Sequence, residues 1–160
     1  MRPPRIEPGP GQESVWDYPR PPIVVAWVGR VRVVHLGVTI ADSRSALRML
    51  ETSQAPGFYL PPADVRIDML RRSIATTRCE WKGVATYWDL ADVGQVAWSY
   101  EQPVADYASI TGHFGFYAQK VDECWVDEEQ VMPNPGMFYG GWITSKIIGP
   151  FKGGPGSQGW

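Results

Sequence analysis

The chain of 160 residues and 17.9 kDa predicts one domain, which at this length buries roughly two-thirds of its unfolded surface. Hydrophobic residues make up 44% and charged residues 20%, so the composition excludes a disordered or collagen-like chain, and no apolar run approaches the ~20 residues of a membrane span. The net charge of −2 argues against a nucleic-acid partner, because nucleic-acid-binding domains are more often basic overall.

The first 22 residues are rich in Pro, and we interpret residues 1–22 as an extended arm. Seven of the 15 Pro lie within residues 3–22, together with Trp16 and Tyr18, which are side chains that free linkers avoid. The basic residues 1–5 are not followed by an apolar stretch. We therefore expect no secretory signal and a cytoplasmic location.

A β-hairpin is predicted at residues 30–41. Residues 30–35 and 38–41 are rich in β-branched side chains, and they flank Leu36-Gly37, a pair suited to a tight turn. The segment that follows has two interpretations. Asp42-Ser43 could cap a short helix that runs to Leu50, or the same residues could continue as a strand.

Residues 58–60 predict a strand that ends at Pro61-Pro62, and residues 63–70 predict one or two helical turns that start at these prolines. The densest β pattern lies at residues 77–90, where polar and apolar residues alternate. A turn at Asp92-Val93-Gly94 would connect this strand to the next. The remaining strands are predicted at residues 95–100, 114–118 and 124–127.

The chain ends in a second segment of unusual composition. Residues 136–160 hold eight of the 17 Gly, and several aromatic residues accompany them. We expect residues 133–160 to be an arm packed on the core or on a partner, which leaves residues 23–132 as the core domain. The scarcity of stretches without Gly or Pro argues against a helical bundle. The predicted fold class is a mainly β, compact single domain of antiparallel sheets with one or two short helices.

Two kinds of site are not predicted. A structural zinc site needs closely spaced pairs of ligands, whereas Cys79, Cys124, His35 and His113 stand far apart in the sequence. The Gly-rich residues 149–156 resemble a phosphate-binding loop only superficially, because their prolines remove backbone donors that such a loop uses. We therefore expect no metal and no cofactor.

The best candidate for chemistry is the segment at residues 76–83. Strict alternation would divide it between two faces of a strand, with Cys79, Trp81 and Gly83 on one and Arg78, Glu80 and Lys82 on the other. The cationic neighbours could favour the thiolate that a cysteine nucleophile needs. Alternatively, Cys79 and Trp81 are buried core residues, as cysteines often are.

Several blocks of sequence occur in an order typical of one known family. They are Trp16-Asp17-Tyr18-Pro19-Arg20, Ala41-Asp42-Ser43, Leu50-Glu51-Thr52-Ser53, Tyr59-Leu60-Pro61-Pro62, Cys79-Glu80-Trp81-Lys82-Gly83, Tyr87-Trp88, Ala97-Trp98-Ser99-Tyr100, Phe116-Tyr117 and Phe138-Tyr139-Gly140-Gly141-Trp142. In this combination the chain resembles the domain-of-unknown-function-427 family, in its longer form with a Gly-rich and aromatic tail. The resemblance implies a β-tent-like fold, in which two sheets meet at an angle over a pocket.

The family is catalogued as nucleotidyltransferase-like, an activity that usually needs acidic residues converging on Mg²⁺. The sequence lacks the Gly-Ser turn followed by an Asp-x-Asp or Asp-x-Glu pair that is typical of such enzymes. Asp64 and Asp68 stand four residues apart and could share a helical face, but exposed acids of this kind are more often solvated. The sequence therefore does not support the catalogued activity.

We interpret the chain as a small-molecule-binding β domain with an aromatic-lined pocket. The residues expected at the ligand are Glu51, Thr77, Cys79, Lys82, Tyr87, Trp98, Tyr100 and Tyr117. Lys82 could pair with an anionic group, Glu51 could accept a proton or orient Lys82, and Tyr100 could donate a hydrogen bond.

Two other hypotheses remain open. The chain could be an enzyme, either nucleotidyltransferase-like as the family label implies or dependent on Cys79, with Cys79, Lys82 and Glu51 as catalytic candidates. It could also be a structural module whose aromatic arms mediate self-association, as in a homodimer. A membrane partner is not expected.

Overall fold

The computed structural model describes residues 2–91 and 93–160, which form short strands, turns and 3-10 helices. In chain order the strands are β1 (Glu13–Ser14), β2 (Ile23–Ala26), β3 (Val31–His35), β4 (Val38–Ser43), β5 (Leu47–Leu50), β6 (Gly57–Tyr59), β7 (Leu70–Cys79), β8 (Gly83–Leu90), β9 (Val93–Ser99), β10 (Phe114–Phe116), β11 (Glu123–Val126), β12 (Glu129–Gln130), β13 (Met132–Pro133), β14 (Trp142–Ile143) and β15 (Ile147–Ile148). The 3-10 helices span Val15–Asp17, Pro62–Asp64, Ile67–Met69 and Ala105–Ile110. The mainly β fold class is confirmed.

Three antiparallel sheets form the body of the fold. Two have four strands, in the orders β12-β11-β3-β4 and β10-β9-β8-β7, and the third has three, in the order β2-β5-β6. A β-bridge between Leu60 and Phe114 joins the end of β6 to β10, with backbone hydrogen bonds of 2.9 and 2.8 Å. The three-stranded sheet and the β7–β10 sheet therefore meet along a seam.

The hairpin predicted at residues 30–41 is confirmed. β3 and β4 pair around Leu36 and Gly37, whose φ angles of 50° and 75° are those that a two-residue turn of type I′ requires. The strands expected near residues 114 and 124 are present as β10 and β11.

The segment with two interpretations forms strands. β4 continues to Ser43, and β5 follows at Leu47 between β2 and β6. The helical turns expected after Pro61-Pro62 are present as two separate 3-10 helices. Asp64 accepts a hydrogen bond from Ser43 (2.7 Å) and Asp68 pairs with Arg66 (2.8 Å). The two acids thus have different partners and share no helical face.

The interpretation of residues 77–90 as one strand was wrong. β7 ends at Cys79, Glu80–Lys82 form a turn, and β8 begins at Gly83, whose φ of 114° favours glycine. The turn predicted at Asp92-Val93-Gly94 lies partly outside the described residues because Asp92 is not described. Val93 and Gly94 already belong to β9.

Both ends of the chain contact the body of the fold. β1 and β15 pair in parallel, and Trp16 Nε1 donates to the Pro150 carbonyl (2.9 Å). Trp142, in the C-terminal segment, is fully buried in the main hydrophobic cluster and stacks on Phe58 with ring centroids 5.1 Å apart. The division into a core domain of residues 23–132 and two arms stays a prediction.

Arginines of the first half pair mostly with acids of the same half. These pairs join Arg5 to Glu7 and Asp17, Arg20 to Glu51, Arg30 to Asp42, Arg48 to Glu13 and Arg66 to Asp68. Among the helices that the structure describes, none is long and apolar enough to cross a membrane.

Candidate functional site

A cavity of about 330 Å³ lies between the three-stranded sheet and the β7–β10 sheet, beside their seam. β5 and β6 contribute Met49, Gly57 and Tyr59 to one wall, and the C-terminal segment contributes Phe138 to Gly141 and Lys152 to another. All the residues expected at the ligand line this cavity: Glu51, Thr77, Cys79, Lys82, Tyr87, Trp98, Tyr100 and Tyr117. The fold thus brings them together, and their binding of a ligand stays a prediction.

Aromatic side chains build the deep end of the cavity. Tyr59, Trp98 and Tyr100 are 3%, 8% and 5% exposed. The Trp98 Nε1 donates to the Tyr59 hydroxyl (3.0 Å), and the Trp98 and Tyr117 rings lie 4.6 Å apart. These contacts fix the positions of the rings, because a buried indole N–H without a partner is costly.

Two glycines allow Trp98 to occupy this position. A Cβ atom at Gly115 in β10 or at Gly140 in the C-terminal segment would overlap the Trp98 ring. At Gly141, a Cβ would overlap the Ala55 carbonyl oxygen. Glycine therefore lets the C-terminal segment lie flat on the indole and close one side of the cavity.

The turn at Glu80–Lys82 corrects the predicted division of this segment into two faces. Side chains alternate between two faces only in a strand and not in a turn. Cys79, Trp81 and Lys82 therefore all line the same cavity. The Lys82 carbonyl accepts from the Val104 amide (2.8 Å), which anchors the turn to the segment before the last 3-10 helix. Lys82 consequently lies beside Cys79 and not on the opposite face.

Lys82 is a partly buried cation that lines the cavity. Its Nζ lies 5.7 Å from the centroid of the Tyr100 ring, and no carboxylate of the described residues lies within 4.0 Å of it. Burial by itself lowers the pKa of the Lys82 ammonium, but polar neighbours, led by Tyr59 and Cys79, raise it by more, and the pKa lies above its ordinary value. Lys82 is therefore charged at neutral pH.

Three buried tyrosines of the cavity are neutral at the same pH. Burial is the largest cause that raises the pKa of Tyr59, Tyr100 and Tyr117 above the ordinary value of 10.0. Their hydroxyl groups are therefore hydrogen-bond donors under physiological conditions. Nearer the mouth, Thr77 and Tyr87 hydrogen-bond to each other through their hydroxyl groups (2.8 Å).

The two cysteines lie in different environments. Cys79 is partly buried and lines the cavity, whereas Cys124 is 2% exposed and belongs to the main hydrophobic cluster. Burial raises the pKa of the Cys124 thiol far above its ordinary value. Cys124 is thus a core residue, and Cys79 is the thiol that a molecule in the cavity would meet.

The acidic residues at the cavity do not fit a Mg²⁺-dependent transferase. Glu51 and Glu80 line it, and Glu51 Oε2 lies 3.8 Å from Arg20 Nε. In residues 2–91 and 93–160, no three His, Cys, Asp or Glu side chains come together as a metal site would need. The residues present therefore do not supply the converging carboxylates that nucleotidyl transfer needs.

A family profile described as a domain of unknown function (DUF427) matches residues 23–127, more than half of the chain. The chain belongs to the DUF427 family. No curated protein matches it at a significant level. The DUF427 match ends before Phe138, so the cavity wall that covers Trp98 lies beyond the part of the chain that defines the family.

Sequence reasoning missed several residues that line the cavity, and Tyr59 is the most deeply buried of them. Its signal was its position in the family-like block Tyr59-Leu60-Pro61-Pro62, although β6 is too short to show an alternating pattern. The wall from the C-terminal segment was missed because that segment was interpreted as an arm. Its glycines indicated close packing, but not the ring on which they pack.

Proposed function

We propose that this DUF427 protein binds a small molecule with an anionic group in the cavity near Cys79 and Lys82. The observation that carries the proposal is the Lys82 ammonium, which is charged and has no paired carboxylate among the described residues. A cation withdrawn from water without a counter-ion costs free energy. An anionic ligand would supply the missing charge.

The size and lining of the cavity support a small ligand. Its volume of about 330 Å³ falls at the lower end of the range typical of small-molecule sites. Aromatic walls with a few polar groups are also typical of such sites. The mouth carries the exposed Arg78 and Glu80, where a polar part of the ligand could remain in contact with water.

The other predicted site residues have supporting roles in this proposal. Glu51 is held near Arg20 and lies on the Lys82 side of the cavity, where its charge contributes to keeping the ammonium protonated. Thr77 and Tyr87 pair with each other and shape the wall. Cys79 is the thiol in the cavity and provides a chemical probe of its occupancy.

The proposal is tested with pairs of compounds that share a body and differ in charge. Suitable pairs are benzoate and benzyl alcohol, phenyl phosphate and phenol, and a nucleoside monophosphate and its nucleoside. A compound at 100 times its Kd stabilises the folded state by about 2.7 kcal/mol, which raises the Tm of a domain of this size by about 5–10 °C. We expect such a shift for an anionic member of a pair and not for its neutral partner.

The variant Lys82→Met keeps most of the side-chain length and removes the charge. We expect it to weaken binding of the anionic compound at least tenfold, because hydrogen bonds to charged groups are worth more than neutral ones. Lys146→Met changes an exposed lysine that does not line this cavity and is the matched control. Alkylation of Cys79 by iodoacetamide gives a second readout, since a bound compound should slow it.

Equal shifts from charged and neutral compounds, or equal affinity of the Lys82→Met variant and wild type, would contradict the proposal. Because Cys124 is buried, the alkylation of the folded protein reports on Cys79 alone. Rapid alkylation at saturating compound would show that the compound binds elsewhere.

A further inference from the structure

Tyr59, Tyr100 and Lys82 line the deep end of the cavity together, and the Lys82 Nζ lies 5.7 Å from the centroid of the Tyr100 ring. Tyr59 and Tyr100 are 3% and 5% exposed, their ring centroids lie 6.5 Å apart, and both line the cavity with Lys82. The Tyr100 hydroxyl has no hydrogen-bond partner among the residues that the structure describes. These polar groups therefore have bonding capacity that the protein itself leaves unused.

The bond from Trp98 fixes the role of Tyr59. An indole N–H can only donate, so the Tyr59 oxygen must accept in the 3.0 Å bond from Trp98 Nε1. The Tyr59 hydroxyl proton takes no part in this bond, and the described part of the chain offers no acceptor for it. Tyr59 is thereby set as a donor toward the cavity.

The deep end therefore presents an ammonium and two phenol donors, and its acceptors are the neutral phenol oxygens. The Lys82 ammonium donates at all of its protons, and burial keeps both phenols protonated by raising their pKa values. The Glu51 carboxylate, which also lines the cavity, lies 3.8 Å from Arg20 Nε. A ligand group that replaces an acceptor oxygen by an N–H donor offers these protein donors fewer acceptors than a carboxylate does.

Resting on the proposed function, we propose that Tyr59, Tyr100 and Lys82 form a receptor for the carboxylate group of the ligand. A carboxylate accepts several hydrogen bonds through its two oxygens and carries one negative charge. The single positive charge of Lys82 matches that charge, while the two neutral phenols add hydrogen bonds without further charge. A phosphate dianion would bring a second charge, and the other cations that line the cavity are placed differently: Arg78 is exposed to water, and the Lys152 Nζ donates to the Trp160 carbonyl (3.2 Å).

The test compares benzoate with benzamide, which has the same shape but replaces one acceptor oxygen by an N–H₂ donor, and with phenyl phosphate. Titrations followed by calorimetry are expected to rank benzoate at least tenfold above both. The variants Tyr59→Phe and Tyr100→Phe each remove one hydroxyl and are expected to weaken benzoate binding about tenfold.

Tyr107→Phe is the matched control for these variants. Tyr107 is also buried at 6% exposure, but its hydroxyl donates to the Pro22 carbonyl (2.7 Å), away from the cavity. This variant should bind benzoate with the wild-type affinity. Tyr100→Phe should unfold at the same denaturant concentration as wild type, since its hydroxyl bonds to no described residue, so a loss of binding in this variant is not a loss of folding.

The outcomes separate this inference from the proposed function. If both phenylalanine variants bind benzoate as wild type does while Lys82→Met does not, the receptor of two tyrosines is wrong and the anion-binding cavity stands. If phenyl phosphate binds tenfold more tightly than benzoate, the carboxylate assignment is overturned. If none of the three variants changes binding, or no anionic probe binds to wild type, both proposals fail.

Discussion

At the scale of single residues, Trp98 determines the shape of the cavity. Its ring lies between Gly115 and Gly140, contacts Tyr117, and donates to the hydroxyl of Tyr59. The orientation of the Tyr59 hydroxyl therefore depends on the position of Trp98. A change that displaces the indole should alter both the stability of the fold and the donors at the deep end.

Gly140→Ala tests this dependence with one added methyl group. Because the new Cβ would overlap the Trp98 ring, we expect the variant to lose about 1–3 kcal/mol in the free energy of unfolding. Gly154→Ala is a control in the same segment, since its Cβ would meet Pro135 Cβ at 3.7 Å, an ordinary contact. Urea denaturation followed by tryptophan fluorescence measures both. An unchanged midpoint for Gly140→Ala would show that the C-terminal segment does not pack on Trp98.

At the scale of elements, local patterns predicted most strands but not the turn that makes the site. Polar and apolar residues alternate through much of residues 77–90, and the local pattern gave no reason to divide the segment into two strands. The division depends on the positive φ of Gly83 and on the bond from the Val104 amide to the Lys82 carbonyl, which joins residues distant in the sequence. Such a contact cannot be inferred from residue periodicity.

Several residues of the candidate site could be predicted from the sequence, although the turn could not, because these residues lie on strands with a clear pattern. Tyr87 and Trp98 are direct partners in the pairing of β8 and β9, so two strongly patterned strands place them side by side. Phe138 and Gly140 could not be predicted as part of the cavity, because they lie in irregular backbone. Long-range contacts of the segment between β10 and β11 set their position.

Gln119, between β10 and β11, holds the loop that leads to Phe138 and Gly140. Its Nε2 lies 3.0 to 3.2 Å from the carbonyl oxygens of Asn134, Gly136 and Tyr139, and so holds the loop that leads into the cavity wall. Gln119→Glu keeps the size of the side chain but replaces the donor by an acceptor.

We expect Gln119→Glu to speed hydrogen exchange at residues 134–141 and to destabilise the fold more than Gln119→Ala, because a carboxylate would face three carbonyl oxygens. Hydrogen exchange read by mass spectrometry measures the first effect, and urea denaturation the second. Exchange unchanged from wild type in both variants would mean that the loop is held by other contacts.

At the scale of the whole molecule, the chain ends are part of the same packed structure as the cavity. The Trp142 ring stacks on Phe58 in β6, and its Nε1 donates to the Phe116 carbonyl in β10 (2.8 Å), so it packs behind the seam between the two sheets. The Lys152 amide donates to the Ser53 carbonyl (2.8 Å). The aromatic residues of the C-terminal segment thus pack largely on their own chain, which argues for one cooperative folding unit.

Alkaline pH tests this cooperativity through four buried tyrosines. Burial raises the pKa values of Tyr18, Tyr59, Tyr100 and Tyr117 above 10.0, and these residues extend from the N-terminal segment to the cavity. A group with a raised pKa in the folded state contributes stability that is complete below its unfolded pKa and is lost as the pH rises above it. Each of the four should therefore lower the free energy of unfolding by about 1.4 kcal/mol per pH unit above pH 10.

We expect the tyrosinate absorbance at 295 nm from these residues to appear in one steep step that coincides with the loss of tryptophan fluorescence, because none of the four ionises until the fold opens. Tyr139→Phe, which changes a partly exposed tyrosine, should reduce the total absorbance change without moving the step. If the absorbance instead rises gradually near pH 10 while the fluorescence remains native, the four hydroxyls reach water in the folded state. A step for Tyr18 at a lower pH than for the cavity tyrosines, identified with Tyr18→Phe, would show that the N-terminal segment unfolds on its own.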